Sequence, residues 1–142
     1  MTQHYVGTKQ VIATPMNRLA YNEYRGWQLP ANENGADEGY LVEYTDGGAP
    51  NDPRHAGYIS WSPKEQFDNA YLSIGEVGDM PPHQQRVAAE KAQLDDKLAK
   101  LNKFFESTTF ASLPVPEQSL LLRQADLMAC YSHVLELRIA AF

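Results

Sequence analysis

Hydrophobic and polar positions follow two different periods along this chain, and the change falls near residue 80. Beyond Pro82, Val87, Leu94, Leu98, Leu101 and Phe105 recur at spacings of three, four and seven. That spacing lines up side chains on one face of an α-helix, and Pro81-Pro82 suits its entry, where a missing N–H costs no hydrogen bond. A second stripe opens at Pro116-Glu117 and carries Leu121, Ala125, Met128, Tyr131 or Ser132, Leu135 and Ile139. At ~1.5 Å per residue each helix should run roughly 35 to 40 Å. One short, proline-bounded loop joins them, so the segment predicts a long helical hairpin. Such a hairpin buries a single seam, and Leu120, Leu122, Leu127, Phe104 and Phe110 remain to be covered. The pattern therefore predicts packing against copies of itself or against the rest of the chain, and we expect a homo-oligomer.

Before residue 80 the grammar is that of short strands and turns. KQVIATPM reads as a strand running into a turn, and NRLAYNEYRGW as a short helix with Gly26 as its C-cap. GYLVEY alternates apolar and polar positions and stops at Asp46-Gly47-Gly48; GYISWS is a further strand. Ser62 and Pro63 suit the N-cap and first position of a short helix, PKEQFDNAY. LSIGEVGDMPP is a connector rich in glycine and proline. The expected class is α+β. A small aromatic-rich module with antiparallel strands spans 1–73, a linker spans 74–82, and a helical hairpin spans 83–142 as the oligomerisation and ligand-binding domain.

Composition narrows the partners. The net charge is −6, with five Lys/Arg against eleven Asp/Glu before residue 81 and seven of each after it. A broad basic face is absent, which disfavours duplex nucleic acid; a small anion needs only two or three placed cations. No apolar run approaches the ~20 residues of a membrane span, and the N-terminus lacks the apolar core of a signal peptide. The single Cys130, within the second helical stripe, is expected as a small core residue in a reducing cytoplasm.

Candidate chemistry is sparse. No phosphate-binding glycine loop, dinucleotide fingerprint or HExxH is present, and the four histidines carry no metal-ligand spacing. Cys130 and His133 would share a helix face without an orienting group, so no catalytic residue, cofactor or metal is expected. Ten aromatics crowd the first 71 residues, more than a small sheet can easily hide. They form either core and interface or a stacking pocket for a flat ring such as a nucleobase; Trp27 after the Arg25-Gly26 turn and Trp61 beside Ser60 are placed for the latter. On the helices, His83 and Arg86 occupy the first turn, where the dipole favours phosphate, and Lys97, Lys100, Arg123 and Arg138 follow. Lys91 falls on the apolar stripe itself, either snorkelling or meeting an anion near the seam.

The segment PHQQRVAAEKAQLDDKLAKLNKFFESTTFASLPVPEQSLLLRQADLMACYSHVLELRI resembles the phage anti-CBASS sponge family, small helical proteins that sequester cyclic oligonucleotide signals. The resemblance rests on Q-x-R-V, E-K-x-x-L-D-x-K-L-x-K-L, F-x-x-L-P-x-x-E-Q and L-x-x-Q-x-x-x-M-x-x-Y-S-x-V-L-x-x-R-I, over about sixty residues. It implies a multimer with ligand pockets between protomers. Cyclic dinucleotides would be held by His83, standing where the family has tyrosine, with Arg86 in the same turn and Lys97 or Lys100 further along. Arg123 and Tyr131 are the candidates for a cyclic trinucleotide pocket. The first half is similar, more weakly, to phage anti-Thoeris sponges that capture cyclic ADP-ribose-like signals, through Arg25-Gly26-Trp27, Ser60-Trp61 and Tyr71. The resemblance implies capture without degradation in the host cytoplasm, with no enzymatic turnover. The rival reading makes the helices a multimerisation stalk displaying a protein-binding module.

Overall fold

The computed structural model describes all residues, Met1–Phe142, as two compact units, Met1–Tyr71 and Leu72–Phe142. In the first, strands β1 (Val11–Pro15), β2 (Gly39–Tyr44) and β3 (Ile59–Pro63) form an antiparallel sheet in the order β1-β2-β3. The register pairs Ala13 with Val42 and Leu41 with Trp61. Strand alternation sends Leu41, Ile59 and Trp61 to one face and Tyr40, Val42 and Ser60 to the other. Helix α1 (Arg18–Arg25) covers the first face through Tyr21, which is buried with Leu41 and Ile59; Met16, Tyr24 and Trp61 pack against this core.

Helix α2 (Lys64–Ala70) serves the other face. Phe67 lies between Tyr40, at 4.3 Å between ring centroids, and Tyr71, at 4.8 Å. The helix starts one residue later than the sequence suggests, with Pro63 as N-cap and no side-chain cap. Ser62 is still held in the sheet opposite Tyr40, and the Lys64 N–H donates to the Glu38 carbonyl instead.

The second unit is the hairpin. Helix α3 (Pro82–Phe104) and helix α5 (Val115–Ala140), of 23 and 26 residues, pack along one seam with Val87, Ala125 and Leu135 buried. The connection holds a further short helix, α4 (Thr108–Ser112), whose N-cap Ser107 accepts from the Phe110 N–H at 3.1 Å. Phe110 turns its ring edge-on to Phe105 at 4.9 Å and to Phe104 at 5.9 Å, so these aromatics cover one another at the closed end. Leu120, Leu122 and Leu127 stay exposed, as the pattern implied.

Ser132, rather than Tyr131, takes the seam position. There it meets Lys91 and Asp95, which resolves the cation on the stripe: Lys91 Nζ donates to Asp95 Oδ2 at 2.7 Å and to Ser132 Oγ at 3.0 Å. Cys130 is exposed, contrary to its expected place in the core. It stands five residues from both Ala125 and Leu135, about 140° round the helix from the seam.

Candidate ligand-binding surfaces

On α3 the candidate cations spread along the helix. His83 and Arg86 are exposed in the first turn, and Lys97 lies eleven residues beyond Arg86, on nearly the same flank. Eleven residues make about 16 Å of rise, too far for one phosphate to bridge within a protomer. Lys100 is partnered by Asp96 at 2.9 Å, whereas Lys97 forms no ion pair. Of the two lysines, Lys97 is the free cation.

Arg123 and Tyr131 do come together. With Leu120, Gln124, Leu127 and Met128 they line an open groove of about 380 Å³ along α5. All six residues belong to one helix, because α5 carries two apolar faces. One face packs on α3; the other, Leu120, Leu127, Tyr131 and Val134 at spacings of seven, four and three, is 45–64% exposed. The groove offers a guanidinium, an amide and a phenol ring around an apolar floor.

In the sheet unit, Arg25, Trp27, Ser60 and Trp61 border one concavity of about 560 Å³. Its architecture begins at the end of α1. Gly26 sits in the left-handed region at φ 73°; its N–H donates to the Glu23 carbonyl and that of Trp27 to the Asn22 carbonyl, a Schellman turn. The reversal brings Trp27 back beside the helix, where the Arg25 guanidinium lies 4.4 Å from its ring and Tyr21 meets it edge-on at 6.1 Å. Arg18, one helical face along, stacks on Trp61 at 4.4 Å. Trp61 is pinned by Nε1–H donation to the Met16 carbonyl at 2.7 Å and by its close approach to Gly39, where a Cβ would strike the indole.

A polar scaffold stands behind these rings. Asn51 bonds both backbone groups of Ile59 on the free edge of β3, at 2.8 and 2.9 Å, and its own carbonyl accepts from Arg25 at 3.3 Å. Asp52, buried at 8% exposure, binds Arg54 through both oxygens and lies 3.8 Å from Arg25. The hydrogen bonds from Arg54 hold the Asp52 carboxyl well below the usual carboxylate range. Arg54 also donates to the Tyr24 carbonyl at 2.6 Å, satisfying an orphan acceptor at the end of α1. Beside it Tyr24 and Glu43 bracket His55 at 2.7 and 2.5 Å, so the loop between β2 and β3 is tied to helix and sheet alike.

Two of the sequence candidates do not share this concavity as side chains. The Ser60 hydroxyl donates to Tyr44 Oη on the opposite sheet face, and Tyr71 stacks on Phe67 there. Conversely, Arg18, Tyr21, Asn22 and Asn51 line it and were missed. The first three were within reach, since with Arg25 they follow i, i+3, i+4, i+7 on one face of α1.

A protein of Enterobacteria phage T4, the uncharacterized 7.5 kDa protein in the denB-rIIB intergenic region, is 44% identical over 63 residues. The alignment spans 98% of that protein and 44% of this chain. The Sequestin family model matches residues 81–141. The chain belongs to the Sequestin family. The Sequestin match falls on the segment that forms α3, α4 and α5, and therefore on His83, Arg86, Lys97, Lys100, Arg123 and Tyr131. The sheet unit lies outside that match. No solved structure matches the chain. No helix of this Sequestin is long and apolar enough to cross a membrane.

Proposed function

We propose that this Sequestin is a phage immune-evasion protein that captures cyclic di- and trinucleotide second messengers in the host cytoplasm and holds them unaltered, silencing CBASS-type signalling. The observation that carries the reading is the family match over the hairpin, the unit whose α5 leaves an apolar groove edged by Arg123 and Tyr131 without a cover. Cyclic oligonucleotides present flat bases and phosphodiesters. Base stacking on a ring contributes ~1–3 kcal/mol per base, and guanidinium–phosphate pairs add charge-assisted hydrogen bonds. Silencing a nanomolar signal requires about −12 kcal/mol, beyond what an open groove on one helix supplies. A second copy closing over the groove would both bury its apolar floor and bring His83, Arg86 or Lys97 from another chain toward the ligand.

Calorimetric titration of the full chain with a panel of cyclic di- and trinucleotides tests this. The expected result is nanomolar binding, with the ligand recovered chemically unchanged after denaturation. Lys97→Ala and Arg123→Ala should each weaken it by about tenfold or more, and Lys100→Ala, whose lysine is already paired with Asp96, by much less. A chain that binds none of the panel is instead a multimeric display module, and a hydrolysed product would make it an enzyme.

A further inference from the structure

We propose that the concavity on the α1 side of the sheet unit is a second, independent binding site, and that it takes a ligand of the nucleoside phosphate class: a flat ring, a hydroxylated sugar and a phosphate. This site belongs to residues 18–61 and to none of those matched by the family model.

Three observations select that chemistry. The first is the open indole. Trp27 is 52% exposed although one side of it is occupied by Arg25 and Tyr21, so its free side is a ready stacking platform. Nothing in folding the unit requires a tryptophan there; its Schellman turn is made by backbone groups alone. The second is charge. Residues 1–80 carry only five cations against eleven carboxylates, yet two of the five, Arg18 and Arg25, border this one concavity. Arg18 is ion-paired with Glu33 and Asp37 at 3.4 Å each. Arg25, whose neighbour Asp52 is bound by Arg54 through both oxygens, is the cation offered to a phosphate. Each guanidinium lies 4.4 Å from an indole ring, and Arg25 is further fixed by Tyr21 Oη, the Asn51 carbonyl and Asp52. Both are held in place before any ligand arrives, which lowers the ordering cost of binding. The third is the polar rim. Glu33, which meets Arg18 through Oε2 alone, and the Gln28 amide offer acceptors suited to sugar hydroxyls or a ring amine. At about 560 Å³ the concavity falls within the range of small-molecule sites, roughly 300–1,000 Å³.

The chain supplies its own reporter, since its two tryptophans are Trp27 and Trp61 and both border the concavity. The experiment titrates the full-length protein with AMP, adenosine and ribose 5-phosphate, following tryptophan emission and binding heat together. AMP should give a saturable change, and adenosine and ribose 5-phosphate should each bind about tenfold or more weakly, because each lacks one of the two recognised groups. Trp27→Ala should weaken AMP by a similar factor while circular dichroism and Trp61 emission report an intact fold. Arg25→Lys, keeping the charge but losing the planar fork, should weaken AMP and leave adenosine unchanged. Arg123→Ala, in the helical unit, should leave the AMP response unaltered, so failure here and failure of the proposed function are read separately. Absence of any saturable response to AMP, GMP, CMP or UMP up to millimolar concentration overturns the proposal. So does AMP binding that Trp27→Ala leaves intact.

Discussion

Lys91, Asp95 and Ser132 close a hydrogen-bonded triangle across the hairpin seam. Lys91 donates to both partners, and Ser132 Oγ donates to Asp95 Oδ1 at 2.5 Å. An ammonium only 24% exposed on an apolar stripe is tolerable because its N–H groups find acceptors in Asp95, which also carries the opposite charge, and Ser132. The bonds from Lys91 first, then from Ser132, lower the Asp95 carboxyl below its ordinary 3.8. A carboxyl with a depressed folded-state value stabilises the fold above its unfolded value and loses that contribution as pH falls through the folded one. The hairpin should therefore hold its stability down to about pH 4 and weaken below it. Asp95→Asn should lower stability at pH 7 by about 0.5 kcal/mol, discounted because the carboxylate is 44% exposed, and flatten the acid limb. Thermal melts from pH 2 to 7 check this; parallel limbs in both proteins would remove Asp95 as the cause. The lysine on the stripe was legible in the chain, but its partner was not. Tyr131 and Ser132 are adjacent, ~100° apart on the helix, and periodicity alone did not choose between them.

At the scale of elements, one glycine decides where Trp27 points. Gly26 adopts φ 73°, and a Cβ there would meet nothing within 4 Å, so any cost of substitution is backbone strain alone. Gly26→Ala should destabilise the sheet unit by about 1 kcal/mol and shift the emission of Trp27. Urea unfolding followed by tryptophan emission reads both at once, and an unchanged midpoint would mean that α1 ends without needing the left-handed residue. Gly26 as a cap, the three strands and both long helices were readable from local pattern, because turn chemistry and period are local properties. The facing of β3 was readable too: Ser60 and Trp61 are neighbours in a strand, so they must point to opposite faces. The contribution of Asn51 was not. Its pairing with Ile59 depends on where a long loop returns along the sheet edge, which no spacing rule encodes.

For the whole molecule, the unmet demand is the second apolar face of α5. Leu120 and Leu127 are 64% and 62% exposed, and Val134 is 52% exposed. Burying a leucine contributes about 1.5–3 kcal/mol, so a face with several of them is poorly suited to remain in water. The proposed closure of the ligand groove by a second copy uses this same face, which ties assembly to capture. Leu127→Lys tests the tie. Leu127 is 62% exposed in the protomer, so the protomer should fold with unchanged helicity. In an assembled protein the ammonium would have to be desolvated, and self-association should weaken on the order of 100-fold or more. Light scattering after size exclusion should then report a smaller species, and cyclic dinucleotide affinity should fall with it, while the tryptophan response to AMP persists. A variant with the wild-type mass would place the interface elsewhere on the hairpin. One that dissociates yet still binds cyclic dinucleotide at full strength would separate capture from assembly, and a single protomer would have to enclose the ligand alone.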